Sequence, residues 1–233
     1  MKKLLIPLMI IFILAPIEKA YSLFGVGVYG LKDPQVSIGE YSEGDLSTDY
    51  TFSRGGVEEI RGFGAFLYID AIPIIDLEVN VETAFDKYSF KFENAASTQP
   101  LESDFGWARV SGYLTVRKKL FGLGVPILGG LKLHAGGGLN YHSSIPLASV
   151  DMVESLTTGG LTGEFESDNL EDELIEYLKE NKIDSNGYHV QLGAQIKLLT
   201  FNLFCNYRVT YAEDVIPDED SFSSIWLGLA FGF

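Results

Sequence analysis

Cysteine is nearly absent. Cys205 stands alone among 233 residues, so neither an internal disulfide nor a Cys-rich zinc site can form. Positive charge is also scarce: 17 Lys and Arg face 32 Asp and Glu, a formal net charge of −15, which argues against an electrostatic nucleic-acid binder. Beyond the N-terminus no stretch reaches the ~18 continuous apolar residues that a membrane helix needs. Also missing are a Gly-rich phosphate loop ending in Lys-Ser/Thr, a dinucleotide fingerprint and an Asp-x-Asp-x-Asp-Gly calcium loop. What remains is a chain with 25 Gly, 13% aromatic and 46% apolar residues. Such a composition excludes disorder as the dominant state and favours strands and turns over helix bundles.

The N-terminus has a separate purpose. Lys2 and Lys3 precede an apolar run from Leu4 to Ile17, interrupted by Pro7 and Pro16, and then Ala20-Tyr21-Ser22. Basic, apolar and small segments in that order form a secretory signal peptide. The run is too short and too broken to cross a ~30 Å bilayer core. Cleavage after Ser22 is expected, giving a signal peptide over 1–22 and one exported domain over 23–233. No cysteine follows that site, so no lipoprotein anchor is expected.

The domain alternates at period two in segments of about ten residues. In the clearest, Leu77, Val79, Val81, Thr83 and Phe85 share one face while Asp76, Glu78, Asn80 and Glu82 share the other. Further segments run over 108–117, 131–142, 188–198, 201–211 and 224–233. Two Gly-rich and less regular ones, 23–31 and 60–70, make eight strands. The polar faces contain Gly, Tyr and opposite charges in place of the Lys/Glu-rich surface of a solvated sheet. Lining a narrow lumen explains that mixture; a soluble barrel or sandwich is the competing class.

Connector lengths supply a second argument. Connections over about 32–56, 86–105, 143–186 and 212–221 are long. Those near 71–73 and 199–200 are short, and the one over 118–129 is intermediate. Alternation of long and short follows when one barrel end faces the exterior and the other the periplasm.

With these features together, the chain resembles the small eight-stranded outer-membrane β-barrels of Gram-negative bacteria, the OmpA/OmpX membrane-domain kind. The closing segment is the most specific element of the likeness: Ile225, Leu227, Leu229, Phe231 and the terminal Phe233 fit the signal that the outer-membrane assembly machinery reads in that family. The resemblance implies an all-β, antiparallel up-and-down transmembrane barrel, monomeric, with extracellular loops and periplasmic termini, in contact with outer-membrane lipid and lipopolysaccharide.

Eight strands leave little free interior. Asp76, Glu78 and Glu82 are expected to pair in the lumen with Arg109, Arg117, Lys132, Lys197 and Arg208, because an unpaired charge there costs several kcal/mol. His134, His142 and His189 also fall on polar faces. The first two lie eight residues apart, ~27 Å along one strand, and cannot share an ion. They are read as structural, and no metal or cofactor is expected. His142-x-Ser144 is weakly similar to the His-x-Ser of outer-membrane lipid A deacylases, but the flanking residues do not match and no acidic partner can be assigned. Cys205 is expected to face lipid. Tyr29, Tyr68, Tyr141, Tyr188, Tyr211 and Phe222 fall near strand ends, where interfacial aromatic girdles sit. Tyr113 and Trp226 are expected to pack against facing glycines.

The longest connector carries 11 acids between Ser149 and Ser185, opposed by Lys179 and Lys182. Within it, Asp168 and Glu171 form a capping-box pair, and Leu170, Leu174, Ile175 and Leu178 form one stripe. A short amphipathic helix over 169–181 is expected, placed to cap the barrel mouth. The functional expectation is a non-enzymatic structural or surface-presentation barrel with a lumen plugged by ion pairs. The alternatives are a narrow channel or carrier of small hydrophobic solutes and, less favoured, a lipid-modifying enzyme.

Overall fold

The computed structural model describes residues 24–44, 49–70, 75–95, 100–125, 129–156, 161 and 170–232. The expected signal peptide and Phe233 lie outside them, as do the expected 71–73 turn and Asp168. The strands are β1 Phe24–Lys32, β2 Tyr41–Glu43, β3 Tyr50–Arg54, β4 Arg61–Ile69, β5 Asp76–Asn94, β6 Leu101–Val125, β7 Gly129–Ser144, β8 Ile183–Leu198, β9 Phe201–Ile216 and β10 Glu219–Gly232. Two helices, α1 (Val150–Ser155) and α2 (Leu170–Glu180), lie between β7 and β8.

Eight strands close a ring. In sequence order β1, β4, β5, β6, β7, β8, β9 and β10 pair with their neighbours, always antiparallel, and β10 pairs back onto β1. The register fixes the geometry of that ring. A row of partners starting at Leu123 runs through Leu131, Ile196, Leu203, Leu229, Val28, Ala65 and Val81, and returns to β6 at Gly112. The offset on β6 is eleven residues, one of them Leu120, the unpaired residue of a bulge. A stagger of ten around eight strands tilts each strand by about 40° from the barrel axis, within the range of closed barrels.

The apolar side chains point outward. Val28, Leu139, Leu192 and Leu227 are 66%, 68%, 58% and 62% exposed, while Glu78, Arg117, Arg208 and His134 are fully buried. A soluble monomer exposes apolar patches of a few hundred Å² at most. A belt that surrounds the whole barrel suits hydrocarbon instead, and the fold is that of a transmembrane β-barrel. Cys205 is exposed on this outer face.

β5 marks where the belt ends. Its burial alternates over all 19 residues, yet the chemistry of the two faces exchanges partway along. From Leu77 to Glu82 the outward residues are apolar and the inward ones polar, and Phe85 is the last large apolar residue of β5 to face out. Beyond it, Lys87, Ser89, Lys91 and Glu93 face out while Tyr88, Phe90 and Phe92 are buried. One strand thus obeys the lipid rule and then the water rule.

For this reason the loop expected over 86–105 is a protruding β5–β6 hairpin. β9 and β10 likewise continue through the expected 212–221 loop to a two-residue turn at Pro217-Asp218. β6 continues to Val125 through the connector expected over 118–129. Above the barrel the β2–β3 hairpin adds to the free edge of β5, Phe52 opposite Phe92.

These extensions enclose a second, apolar core. Phe52, Phe90, Phe92, Val57, Ile60 and Trp107 pack there with Met152 and Val153 of α1. Sequence periodicity does not anticipate α1. Ser149 caps it, its side chain accepting from the Met152 N–H at 3.2 Å. α2 forms within one residue of the expected bounds, and its Leu174 and Tyr177 pack against the same core.

Candidate functional site

The inward face between the short-turn end and this cap holds two clusters of buried charge. In the cluster nearer the short turns, Arg117 of β6 forms ion pairs with Glu78 (2.9 Å) and with Asp70, just past β4 (3.0 Å). Lys132 of β7 pairs with Asp70 at 3.2 Å and with Asp76. Gln191 donates to the second oxygen of Glu78 at 3.1 Å.

Nearer the cap, Arg109 pairs with Asp33 at 2.7 Å and with Glu82 at 3.5 Å. Arg208 also pairs with Glu82. Tyr29 donates to Glu82 at 2.7 Å and Ser224 to Asp33 at 2.6 Å. The Arg208 guanidinium lies 3.4 Å from the Tyr113 ring centroid, and that of Arg109 lies 4.2 Å from Phe222. Each guanidinium therefore has both a counter-charge and an aromatic face, which offsets its removal from water.

Seven of the eight expected lumenal charges lie in these clusters. Lys197 does not: it is half-buried near the short-turn end, within the field of Asp70 but with no salt bridge among the described residues. Two members were missed, Asp33 and Asp70. Each sits one step past a strand end and continues the inward phase, Tyr29–Leu31–Asp33 and Phe66–Tyr68–Asp70. Strand phase carried past the strand end would have found both.

A packed aromatic group separates the clusters along the β1–β4–β10 wall. Tyr29 and Trp226 stand 4.7 Å apart, Phe66 and Phe204 5.0 Å, and Tyr68 and Phe204 5.2 Å, measured between ring centroids. Tyr29 and Tyr68 are thus lumenal and Phe222 is buried against Arg109, which corrects the girdle expected of them. The rings fit because the facing positions are small; a Cβ on Gly64 would come within 2.5 Å of the Tyr29 ring. Tyr141, Tyr188 and Tyr211 do face outward, the last two stacked at 4.9 Å.

The histidines line the opposite wall. His134 bonds to Asn206 and His189 to Thr115, both at 2.9 Å, and His142 bonds to Ser111 at 2.8 Å. Among the described residues no group of His, Cys, Asp and Glu is arranged to hold a metal ion. His142 and Ser144 are both buried, but the hydroxyl bonded to His142 is that of Ser111, and Ser144 has no hydrogen-bond partner among the described residues. Glu154 is exposed on α1, and Glu164 lies outside the described residues. Of the expected assembly signal, Ile225, Leu227, Leu229 and Phe231 all face outward, 40–62% exposed.

No protein-family model matches the chain, and no curated protein matches it. Solved structures do. The chain is similar to small outer-membrane barrels. The N-terminal barrel domain of Pseudomonas aeruginosa OprF aligns at 9% identity and TM-score 0.40, covering 91% of this chain and 99% of that one. OprG from Pseudomonas aeruginosa aligns at 12% and 0.42, covering 93% and 96%. Neisserial surface protein A aligns at 12% and 0.41, covering 92% and 100%.

Proposed function

We propose that the chain is a monomeric integral protein of the bacterial outer membrane that presents a folded surface cap and does not conduct. Its long connections face the exterior and its termini the periplasm. The assembly machinery inserts it through the β10 side chains together with Phe233, and lipopolysaccharide surrounds its outer half. One observation carries the reading: two layers of paired charge, an aromatic layer and an apolar cap succeed one another along a single lumen. Neutralised charge removes the driving force for ions, and the packed rings remove their path.

A narrow channel is the second reading. The buried side-chain amides of Asn80 and Asn140, which have no hydrogen-bond partner among the described residues, favour it. Buried groups of this kind are commonly satisfied by water, and water along the histidine wall would form a thread. Planar-bilayer recordings on the refolded protein separate the two. The plugged barrel gives no single-channel steps, and reproducible steps would replace it with the channel.

A further inference from the structure

The rim at the long-connection end is charged unevenly. On the β8–β10 side Asp184, Glu213, Asp214 and Asp220 surround a hollow of about 550 Å³ beside the Tyr188–Tyr211 stack. The β1–β4 side is mixed: Glu58, Glu59 and Asp86 lie there with two outward-facing cations. Lys32 and Arg61 are direct cross-strand partners, with side chains 49% and 63% exposed.

Like charges directly opposite one another repel. Here a single carboxylate, Glu59, bridges both, 3.4 Å from Lys32 and also paired with Arg61. Within this triad one carboxylate faces two cations, a local excess of one positive charge beside Glu58 and Asp86, on a protein whose net charge is −15.

Directly below, on the same outward face, the wall is hollowed. Gly30 pairs with Phe63 on one side and Leu227 on the other. A Cβ placed on Gly30 would approach nothing closer than 4.0 Å. The missing side chain opens the upper end of a groove of about 710 Å³, walled here by Val28, Phe63 and Leu227 and continuing to Cys205.

We propose that Lys32, Arg61 and the groove beneath them form a site for one anionic membrane lipid, its phosphate on the two cations and an acyl chain along Gly30. This rests on the outer-membrane reading. An acyl chain leaving bulk lipid for the groove exchanges one hydrocarbon environment for another, so selectivity comes from the phosphate and the groove sets position. A soluble anion would have no use for the groove, and the acidic opposite rim repels the same headgroup. Glu59 occupies the cations when the lipid is absent and competes with it.

The test uses the whole protein refolded in phosphocholine nanodiscs containing diphosphoryl lipid A, with its dephosphorylated form as control and native mass spectrometry counting retained lipid. Wild type should retain one diphosphoryl molecule. Lys32→Gln with Arg61→Gln should weaken retention about thirtyfold, as expected for two interfacial cations. Gly30→Leu should weaken it less, and Glu59→Gln should strengthen it. Unchanged retention in the double variant, or equal retention of the dephosphorylated form, overturns the site. Displacement by millimolar inorganic phosphate that is as complete from wild type as from Gly30→Leu would overturn the assignment to a lipid. Heat-modifiable gel migration is measured first on every variant. A wild type without a shift removes the membrane reading itself, whereas a shift without lipid discrimination removes this site alone.

Discussion

Glu82→Gln isolates the charge of one lumenal carboxylate while keeping its shape. Glu82 and Arg208 are fully buried, and among the described residues Glu82 is the only carboxylate within ion-pair distance of Arg208. Arg109, its other partner, keeps Asp33 at 2.7 Å. The glutamine carbonyl still accepts from Tyr29, so the perturbation is an uncompensated Arg208 cation, worth about 3–5 kcal/mol when a buried pair is broken from one side. Asp76→Asn provides the internal control. Lys132 retains Asp70 at 3.2 Å, and the loss should be about 1 kcal/mol. With a urea slope of about 1–3 kcal/mol per M, the two variants should differ in midpoint by roughly 1–3 M. The assay is equilibrium unfolding in vesicles, followed by the fluorescence of Trp107 and Trp226. Replacing both partners, Glu82→Gln with Arg208→Met, should recover most of the loss, since a neutral pair of similar volume leaves no charge unmatched. A Glu82→Gln protein as stable as Asp76→Asn would refute the reasoning and mean that Arg208 is solvated inside the barrel.

Four further outcomes follow from the geometry. Ala148 donates its N–H to the Tyr88 hydroxyl at 2.7 Å, so Tyr88→Phe should cost about 1 kcal/mol and speed proteolysis between β7 and β8. Burial pushes the Tyr88 phenol up to about 12, above its unfolded value near 10, so its contribution is complete below pH 10 and fades as pH rises through 12; limited proteolysis against pH reads this. Hydrogen bonds from Lys182 first, then Ser143 and Tyr141, hold the Asp184 carboxyl down at about 2, so its contribution is present above its unfolded value near 4 and lost as pH falls through 2. An NMR titration of Asp184 should give that midpoint, rising with added salt, and a midpoint near 4 would discount the cluster. Gly64→Ala should cost several times more than Gly39→Ala, because its Cβ meets the Tyr29 ring at 2.5 Å while that of Gly39 meets nothing within 4 Å; urea midpoints compare them.

Much of the barrel was legible because outward and inward residues differ in polarity at every second position, as from Leu77 to Phe85. The strand ends were not legible for the same reason. Past Phe85 the alternation persists with its meaning exchanged, so Lys87 to Glu93 reads as a loop when only the lipid rule is applied. α1 was missed because six residues are too few for a helical period to stand out, although Val150, Met152 and Val153 turn into the apolar core while Asp151 and Glu154 face out. In the lumen, ionic character was readable, but partners across the barrel were not. Arg208 and Glu82 lie 126 residues apart, Asp33 sits in what sequence alone presents as a connection, and Asp70 closes the weakly alternating 60–70 segment. Tyr29 and Tyr68 were misplaced because the Gly-rich β1 and β4 give little contrast from which to set their phase.

The central claim is that the outward side chains below the β5 exchange point touch acyl chains and those above it touch water. Single nitroxide labels at Val79, Val81, Phe85, Lys87, Ser89 and Lys91, each in a Cys205→Ser background reconstituted in vesicles, test it by accessibility to oxygen and to a water-soluble nickel chelate. Oxygen dominance is expected at 79, 81 and 85, crossing to nickel dominance from 87 onward. Nickel dominance at 79 and 81 would contradict it.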